Sequence, residues 1–228
     1  NLAHLVEAGI YDFAIDDPHS GRAIGWPLLA LAGAYEIDLD ERYLRAMRNL
    51  TERILPRQDP HCGGWLYALY PGHCFCTTRK HVGMAGFITS ILVNGLSRYQ
   101  VLAGHPGLPE AIERAVTFLI NDTWREEWQD WRYTSCPASA RMHQPGVTIM
   151  ALVNAVRIAH TPEHLRVLRV AWEAKFRRLL AEPATAGMGK TYSATLYGCA
   201  EAAGLLTMDE HAQPSLAGAC PPPGGGAA

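Results

Sequence analysis

The stretch GWPLLALAGAYEIDLDERYLRAMRNLTERIL, residues 25–55, decides the fold class of this chain. Residues 25–37 carry large apolar side chains over one broad helical face, and residues 41–55 repeat them at the spacing of an amphipathic helix. Asp40 is a typical N-cap residue, and Pro56 ends the second run. The stretch therefore predicts a helical hairpin, in which a mostly apolar helix is followed by an amphipathic one.

The same pair of patterns recurs twice further along the chain. Gly33, Gly95 and Ala155 mark equivalent places in the three units, 62 and 60 residues apart. Each unit must stack on its neighbours to bury its apolar helix, so the apolar helices are expected inside and the amphipathic ones outside. Small residues such as Ala32, Gly33 and Ala34 are expected where the inner helices approach closely. The predicted helices cover residues 2–13, 25–37, 41–55, 83–102, 108–124, 147–159, 162–180 and 191–206.

The connections between the predicted helices are unequal. Within a pair they are short, whereas between pairs they run over residues 15–24, 58–82 and 125–146, which we name the first, second and third long loops. All three lead into the N-terminal ends of inner helices, so they are expected to gather at one end of the scaffold. Long loops on a helical scaffold are where a functional site is expected.

Composition narrows the class of protein. The chain has 228 residues, of which 48% are hydrophobic and 18% charged, and its formal net charge is −2. This composition fits a globular domain. It shows neither the excess of basic residues typical of nucleic-acid binding nor a long apolar segment that could enter a membrane. We expect a helical domain over residues 1–210 and a flexible tail rich in Pro and Gly over residues 211–228. The compartment stays open, because a secreted or periplasmic location would require a signal peptide on a longer parent chain.

The helix pairs and loops together resemble a known superfamily. The resemblance rests on residues 25–31, on 34–36 with 40–44, on Gly63-Gly64-Trp65 and on 83–96, and it spans residues 21–206. The sequence is similar to the α/α toroid, or six-hairpin, carbohydrate-active enzymes, which include glycoside hydrolases, polysaccharide lyases and sugar epimerases. The predicted helices are too few for six hairpins. The resemblance therefore implies an all-α fold of stacked hairpins that is an arc or fragment of the toroid.

The loops concentrate the residues that carry chemistry. Five of the ten histidines and four of the six cysteines lie in them. His and Tyr are common proton carriers, and Arg pairs with a uronate carboxylate, so we expect a polysaccharide lyase that cleaves an acidic glycan by β-elimination. The candidate catalytic residues are His73, His143, Tyr133, Arg22 and Arg132. The candidate substrate-binding residues are His19, Trp26, Trp65, Tyr67, Tyr70, Lys80 and Trp131.

Two other functions compete with the lyase. A glycoside hydrolase would use paired carboxylates, with Asp16 or Asp17 on one side and Glu126, Glu127 or Asp130 on the other. The second long loop holds a single carboxylate, which favours the lyase slightly. A non-enzymatic helical-repeat module would instead bind a partner in its concave face. The expected partners are an oligosaccharide or polysaccharide, with further domains of a longer chain or a second copy of this one.

The second long loop also has the donors of a metal site. Six nitrogen and sulfur donors fall within 21 residues, and zinc prefers four such ligands in a tetrahedron. The spacing matches no regular zinc finger. The alternatives are reduced thiols in a packed loop, a disulfide if the protein is secreted, or a reactive cysteine beside a histidine. The candidate ligands of a structural zinc are His61, Cys62, His73, Cys74, Cys76 and His81.

Overall fold

The computed structural model describes residues 2–9, 20–69, 72–77, 81–142, 145–181, 193–194 and 196–212. It confirms the all-helical class, with short strands only in the loops. The helices are α1 (Leu2–Glu7), α2 (Ser20–Asp38), α3 (Glu41–Ile54), α4 (Gly86–Ala103), α5 (Leu108–Thr123), α6 (Gly146–Ala159), α7 (Pro162–Ala181) and α8 (Cys199–Ala212), with a 3₁₀ turn at Leu55–Arg57. The strands are β1 (Tyr67–Leu69), β2 (His81–Gly83), β3 (Trp124–Arg125) and β4 (Asp130–Trp131).

The hairpin predicted from residues 25–55 forms as α2 and α3. The Asp40 carboxylate accepts a hydrogen bond of 2.9 Å from the backbone N–H of Arg42 and so caps α3. One face of α3 buries Met47, Leu50 and Ile54, while its other face is open to solvent. The alternation of buried and exposed residues along α3 is the helical period that the sequence shows.

The helices form two layers. Helices α2, α4 and α6 lie side by side with α4 in the middle, and α8 packs against the far side of α6. Helices α3, α5 and α7 each pack on the helix that precedes them in the chain. Because α4 and α6 have neighbours on most sides, they are buried over most of their length.

The closest approach in the inner layer is made by glycines other than those expected. A Cβ placed on Gly25 would lie 2.6 Å from the carbonyl oxygen of Ile91, and one on Gly95 would lie 2.7 Å from the carbonyl oxygen of Gly25. Gly33, by contrast, has open space where its Cβ would be. The contact between α2 and α4 therefore lies about two turns nearer the start of α2 than Ala32, Gly33 and Ala34.

Buried amides and hydroxyls fix α4 against α6. The Asn94 side chain donates to the carbonyl oxygen of Val147 at 3.1 Å, and Asn154 donates to Oδ1 of Asn94 at 3.0 Å. Ser90 and Thr148 share a hydrogen bond of 2.9 Å one turn away. Since each buried amide needs its partner, sliding one helix along the other would break both contacts.

Several helix ends differ from the prediction. Helix α2 begins at Ser20 rather than at residue 25 and contains Pro27, so the end of the first long loop is helical. Residues 81–83 form β2 rather than the start of α4. Helix α1 ends at Glu7, because Gly9 has a φ of 72° that interrupts the helix. Helix α8 reaches Ala212, past the predicted domain end at residue 210.

The tail from residue 213 onwards lies outside the described residues, so its separation from the helical domain stays a prediction. Among the helices that the structure describes, none has both the length and the apolar character needed to cross a bilayer.

Candidate metal centre

The second and third long loops pack together in front of α4. The backbone N–H of Phe75 donates to the carbonyl oxygen of Ala138 at 2.9 Å, and that of Ser135 donates to Met84 at 2.9 Å. Nearer the helix, Ala85 forms an isolated antiparallel bridge with Thr134. These contacts set the segment before α4 alongside the segment around residue 135. Two of the three long loops therefore meet at one end of the inner layer, as expected.

Four soft donors converge at this junction. The ligand atoms of Cys74, Cys76, His81 and Cys136 all lie within 4.8 Å of one another. Cys74 Sγ is 3.2 Å from Cys76 Sγ and 3.5 Å from Nε2 of His81, and Cys76 Sγ is 3.7 Å from Nδ1 of the same ring. Sulfurs bound to one tetrahedral zinc at about 2.3 Å would be about 3.7 Å apart. The cluster is thus compact enough to hold a metal ion.

Local backbone structure explains how each donor reaches the cluster. Cys74 and Cys76 are half-buried, while Phe75 between them is 81% exposed, so the two cysteines face the protein and Phe75 faces solvent. The ribbon of β1 and β2 places His81 opposite Leu69. The backbone N–H of Cys136 donates to the Thr134 hydroxyl at 3.3 Å, and its thiol is buried.

Cys136 is the member of the cluster that the sequence did not assign. The sequence interpretation considered donors within one loop, whereas this thiol comes from the third long loop, on the far side of two helices. Two features of the sequence could have identified Cys136. It is one of the four cysteines in the long loops, and these loops are expected to share one end of the scaffold. Proximity in space could not be derived from the Cys74–His81 spacing alone.

His61 and Cys62 lie away from this cluster. Both backbone N–H groups donate to one carboxylate oxygen of Asp59, at 2.9 and 2.8 Å, which holds them in a turn. Both residues line a separate open cleft of about 580 Å³ beside α5. Glu110 and Glu113 of α5 line the same cleft. Burial raises the pKa of the Cys62 thiol, which disfavours the thiolate that a metal needs.

His73 lies beside the cluster but belongs to a different grouping. Its ring centroid is 6.3 Å from that of Tyr67, edge to face, and 6.4 Å from that of Tyr133. All three side chains are half-buried, and burial raises the pKa of Tyr67 well above its ordinary value. The carbonyl oxygen of His73 accepts hydrogen bonds from Thr134 at 3.4 Å and Ser139 at 3.3 Å. We call His73, Tyr67 and Tyr133 the aromatic triad.

Of the other predicted lyase residues, some are exposed near the loop end of the inner helices and others are buried in the core. Arg22 lies in the first turn of α2 with its guanidinium 6.0 Å from the ring centre of Phe87, at the loop end of α4, and Trp26 is 42% exposed. Trp65 and Trp131 belong to the hydrophobic core, so neither ring offers an open face for stacking on a sugar. Trp65 also donates to the carbonyl oxygen of Ile54.

Arg132 is buried as well, and burial lowers the pKa of its guanidinium. Its Nη2 donates to the carbonyl oxygen of Asp122 at 2.5 Å, at the end of α5. A guanidinium turned into the protein in this way is poorly placed to receive a substrate carboxylate. Of the remaining predicted site residues, the following lie outside the described residues: His19, Tyr70, Lys80 and His143, together with the hydrolase candidates Asp16 and Asp17.

The described carboxylates of the third long loop are engaged in ion pairs or exposed. Asp130 is only 4% exposed and accepts hydrogen bonds of 2.8 Å from both Arg141 and Arg178. Glu126 pairs with Arg166 on the surface, and this bond lowers the pKa of its carboxyl. Asp130 therefore serves as an anchor between the loop and α7.

The chain matches no protein-family model, no curated protein and no solved structure.

Proposed function

We propose that this chain is a stacked helical-hairpin domain, an arc of an α/α toroid, that binds one zinc ion through Cys74, Cys76, His81 and Cys136. The observation that carries the proposal is the convergence of these four donors within 4.8 Å at the junction of two loops. The layered packing of α2, α4 and α6 inside and α3, α5 and α7 outside supports the toroid arc.

Ligand chemistry favours zinc. Three thiolates and one imidazole form a soft donor set, which suits zinc better than magnesium or calcium with their oxygen ligands. Four protein ligands fill a tetrahedron and leave no position for a substrate, so the proposed role is structural. In that role the ion ties the second long loop to the third.

Metal analysis of purified protein tests this proposal. We expect one zinc per chain after dialysis, and a cobalt-loaded sample should show the absorption bands of a tetrahedral thiolate site. The C136S variant should lose the metal, because it removes one thiolate. C62S is the control, since Cys62 is a half-buried loop cysteine outside the cluster, and this variant should keep the metal. Substoichiometric zinc in the wild type, or equal loss in both variants, would reject the proposal.

A second candidate function is a polysaccharide lyase acting on a uronate-containing glycan. The observation that favours it is the position of His73 between Tyr67 and Tyr133, at the same end of the scaffold as Arg22. In β-elimination, Arg22 would neutralise the uronate carboxylate while His73 and Tyr133 move the proton beside it and protonate the leaving oxygen. Arg132 drops out of this scheme because its guanidinium is buried.

A screen of anionic polysaccharides separates the candidates. A lyase yields unsaturated products that absorb in the ultraviolet, a hydrolase yields reducing ends without that absorption, and a binding module retains the polymer without cleaving it. H73A and Y133F should abolish product formation by a lyase, whereas H105A should not, because His105 lies in the short turn between α4 and α5. Product formation that survives H73A and Y133F would reject these roles.

A further inference from the structure

The metal cluster and the aromatic triad are adjacent in the chain as well as in space. Cys74, a cluster member, directly follows His73, a triad member. Tyr67 lies on β1, whose partner strand β2 begins with the donor His81. Tyr133 is three residues before Cys136. Each member of the triad is therefore connected to a cluster donor through a few residues or one pair of strands.

We infer that the metal centre positions the His73 ring, so that loading the centre with zinc is what holds this ring between Tyr67 and Tyr133. The inference rests on the zinc site proposed above and assigns that site a task beyond joining two loops. His73 touches no metal in this arrangement. It is placed by the neighbouring Cys74, which makes Cys74, Cys76, His81 and Cys136 positioning residues for the triad.

The hydrogen bonds to the carbonyl oxygen of His73 restrain this residue less firmly than a metal ion bound to the neighbouring Cys74 would. The two hydroxyls that donate to the His73 carbonyl oxygen do so at 3.4 and 3.3 Å, at the long end of the hydrogen-bond range. Both restrain the backbone of His73 and leave the ring direction to the residues around it. The hydrogen bond from the Phe75 amide to the carbonyl oxygen of Ala138 is shorter, at 2.9 Å, and it holds the backbone two residues further along.

Electrostatics explains how a bound cation would join the two loops. Cys74 and Cys76 hold their sulfurs 3.2 Å apart, and Cys136 brings a third sulfur within 4.8 Å. Deprotonated thiols at this separation repel each other strongly in a partly buried site. A divalent ion reverses the sign of that interaction and makes the segment from His73 to Cys76 adhere to the third long loop.

On this inference the zinc ion affects catalysis through the position of His73, without contacting the substrate. Zinc removal should leave binding of a uronate polymer through exposed groups such as Arg22 largely unchanged, while the proton-transfer geometry at His73 is lost. In kinetic terms, kcat should fall at least about 10-fold with a smaller change in KM. A metal that bound substrate directly would change KM as well.

The test measures ring positions by NMR in full-length protein with isotope-labelled histidine and tyrosine. With zinc bound, ring protons of His73 should give cross-relaxation peaks to those of Tyr67 and Tyr133, assigned with the H73Q, Y67F and Y133F variants. Chelator treatment of the wild type should remove these peaks, and cadmium, which accepts the same donors, should restore them. C136S should lack them at every zinc level, and C62S should behave as the wild type.

The outcomes separate this inference from the proposals on which it builds. If the wild type takes up no zinc, the proposed metal centre fails. If zinc binds and the peaks persist after its removal, with far-ultraviolet circular dichroism showing intact helices in both states, the positioning role is overturned while the zinc site stands. Should C136S fail to fold, the chelator and cadmium experiments on the wild type give the same decision.

Discussion

The inner helical layer and the loop layer above it are held together by different means. In the helical layer the chain supplies every contact described above: Gly25 and Gly95 let α2 and α4 meet backbone to backbone, and Asn154 donates to Asn94 across α4 and α6. In the loop layer, four metal-binding donors converge, and the proposed zinc ion would join them. On the proposed zinc site, the helices are stabilised by their own contacts, whereas the arrangement of the loops depends on a bound ion.

The third long loop shows both principles within a few residues. At one end Asp130 is satisfied by two arginines and by the backbone N–H of Trp131 at 2.9 Å. Arg141 and Arg178 also both donate to the carbonyl oxygen of Trp128. At the other end the thiol of Cys136 lies within 4.8 Å of the ligand atoms of Cys74, Cys76 and His81. One anchor of the loop is therefore formed by protein groups alone, whereas the other would be completed by the proposed zinc ion.

The largest expected effect comes from removing the proposed zinc ion. Structural zinc sites contribute roughly 10–16 kcal/mol of binding free energy, so chelation should markedly reduce amide protection in residues 72–77, 81–85 and 133–139. Amides in the middle of α4 and α6 should keep theirs, because their contacts do not involve the ion. Hydrogen exchange with mass spectrometry measures both regions in one sample. Equal loss of protection in the helices would show that the two layers are not separable.

Glycine substitutions test the helical layer. G95A should lower the free energy of unfolding by about 1–3 kcal/mol or more, because its Cβ would meet the backbone oxygen of Gly25 at 2.7 Å. G33A is the matched control in the same layer: its Cβ meets open space, and the substitution should stabilise the chain by about 0.5–1 kcal/mol. Urea denaturation gives both values, and similar changes in the two variants would contradict the packing described here.

Removing the Asp130 anchor should have a smaller effect. D130N leaves two arginines without their carboxylate, but their side chains are 41% and 31% exposed and can turn to water, so we expect a loss of about 1–3 kcal/mol. E126Q breaks an exposed ion pair in the same loop and should cost about 0–1 kcal/mol. Thermal unfolding of zinc-loaded protein measures the difference, and a D130N cost no greater than that of E126Q would remove Asp130 from its role as an anchor.

The smallest predicted effect is a pH dependence in the helical layer. His164 on α7 is buried and bonds to Thr117 at 2.9 Å, and burial lowers its pKa from 6.5. Below about pH 6.5 His164 takes up a proton in the unfolded chain but resists protonation in the folded one. The free energy of unfolding is therefore at its full value above that pH and falls below it. The slope is at most about 1.4 kcal/mol per pH unit. Unfolding of wild type and H164Q between about pH 7.5 and 5.5 measures it, and parallel curves would exclude His164 as the source.

The helices could be predicted because their signals are local. Leu50 and Ile54 recur at the helical period, and Asp40 and Pro56 mark the ends of α3 in ways that need no tertiary information. The predicted start of α2 was wrong because the prediction followed the apolar face from residue 25, whereas the helix begins at Ser20 and its first turn includes Gly21 and Arg22, which carry no apolar signal. The class of the fold follows from such patterns, whereas the closest helix contact, at Gly25 and Gly95, depends on how two helices cross.

The candidate site could be predicted only in part. Cys74, Cys76 and His81 share one loop and were assigned from their density, but Cys136 joins them through packing that no spacing encodes. Aromatic residues were the weakest basis for a prediction. Trp131 in a loop can cover the core or face a ligand with the same local sequence, and here it is 1% exposed against Trp124.

The placement of the four donors bears on the order in which the chain assembles. Cys136 is separated from His81 by α4 and α5, so the donors meet only after those helices have packed. On the proposed zinc site, the ion would enter near the end of folding. A shortage of zinc would then yield chains whose helices are packed but whose second and third long loops are not joined, and added zinc would join these loops without new protein synthesis.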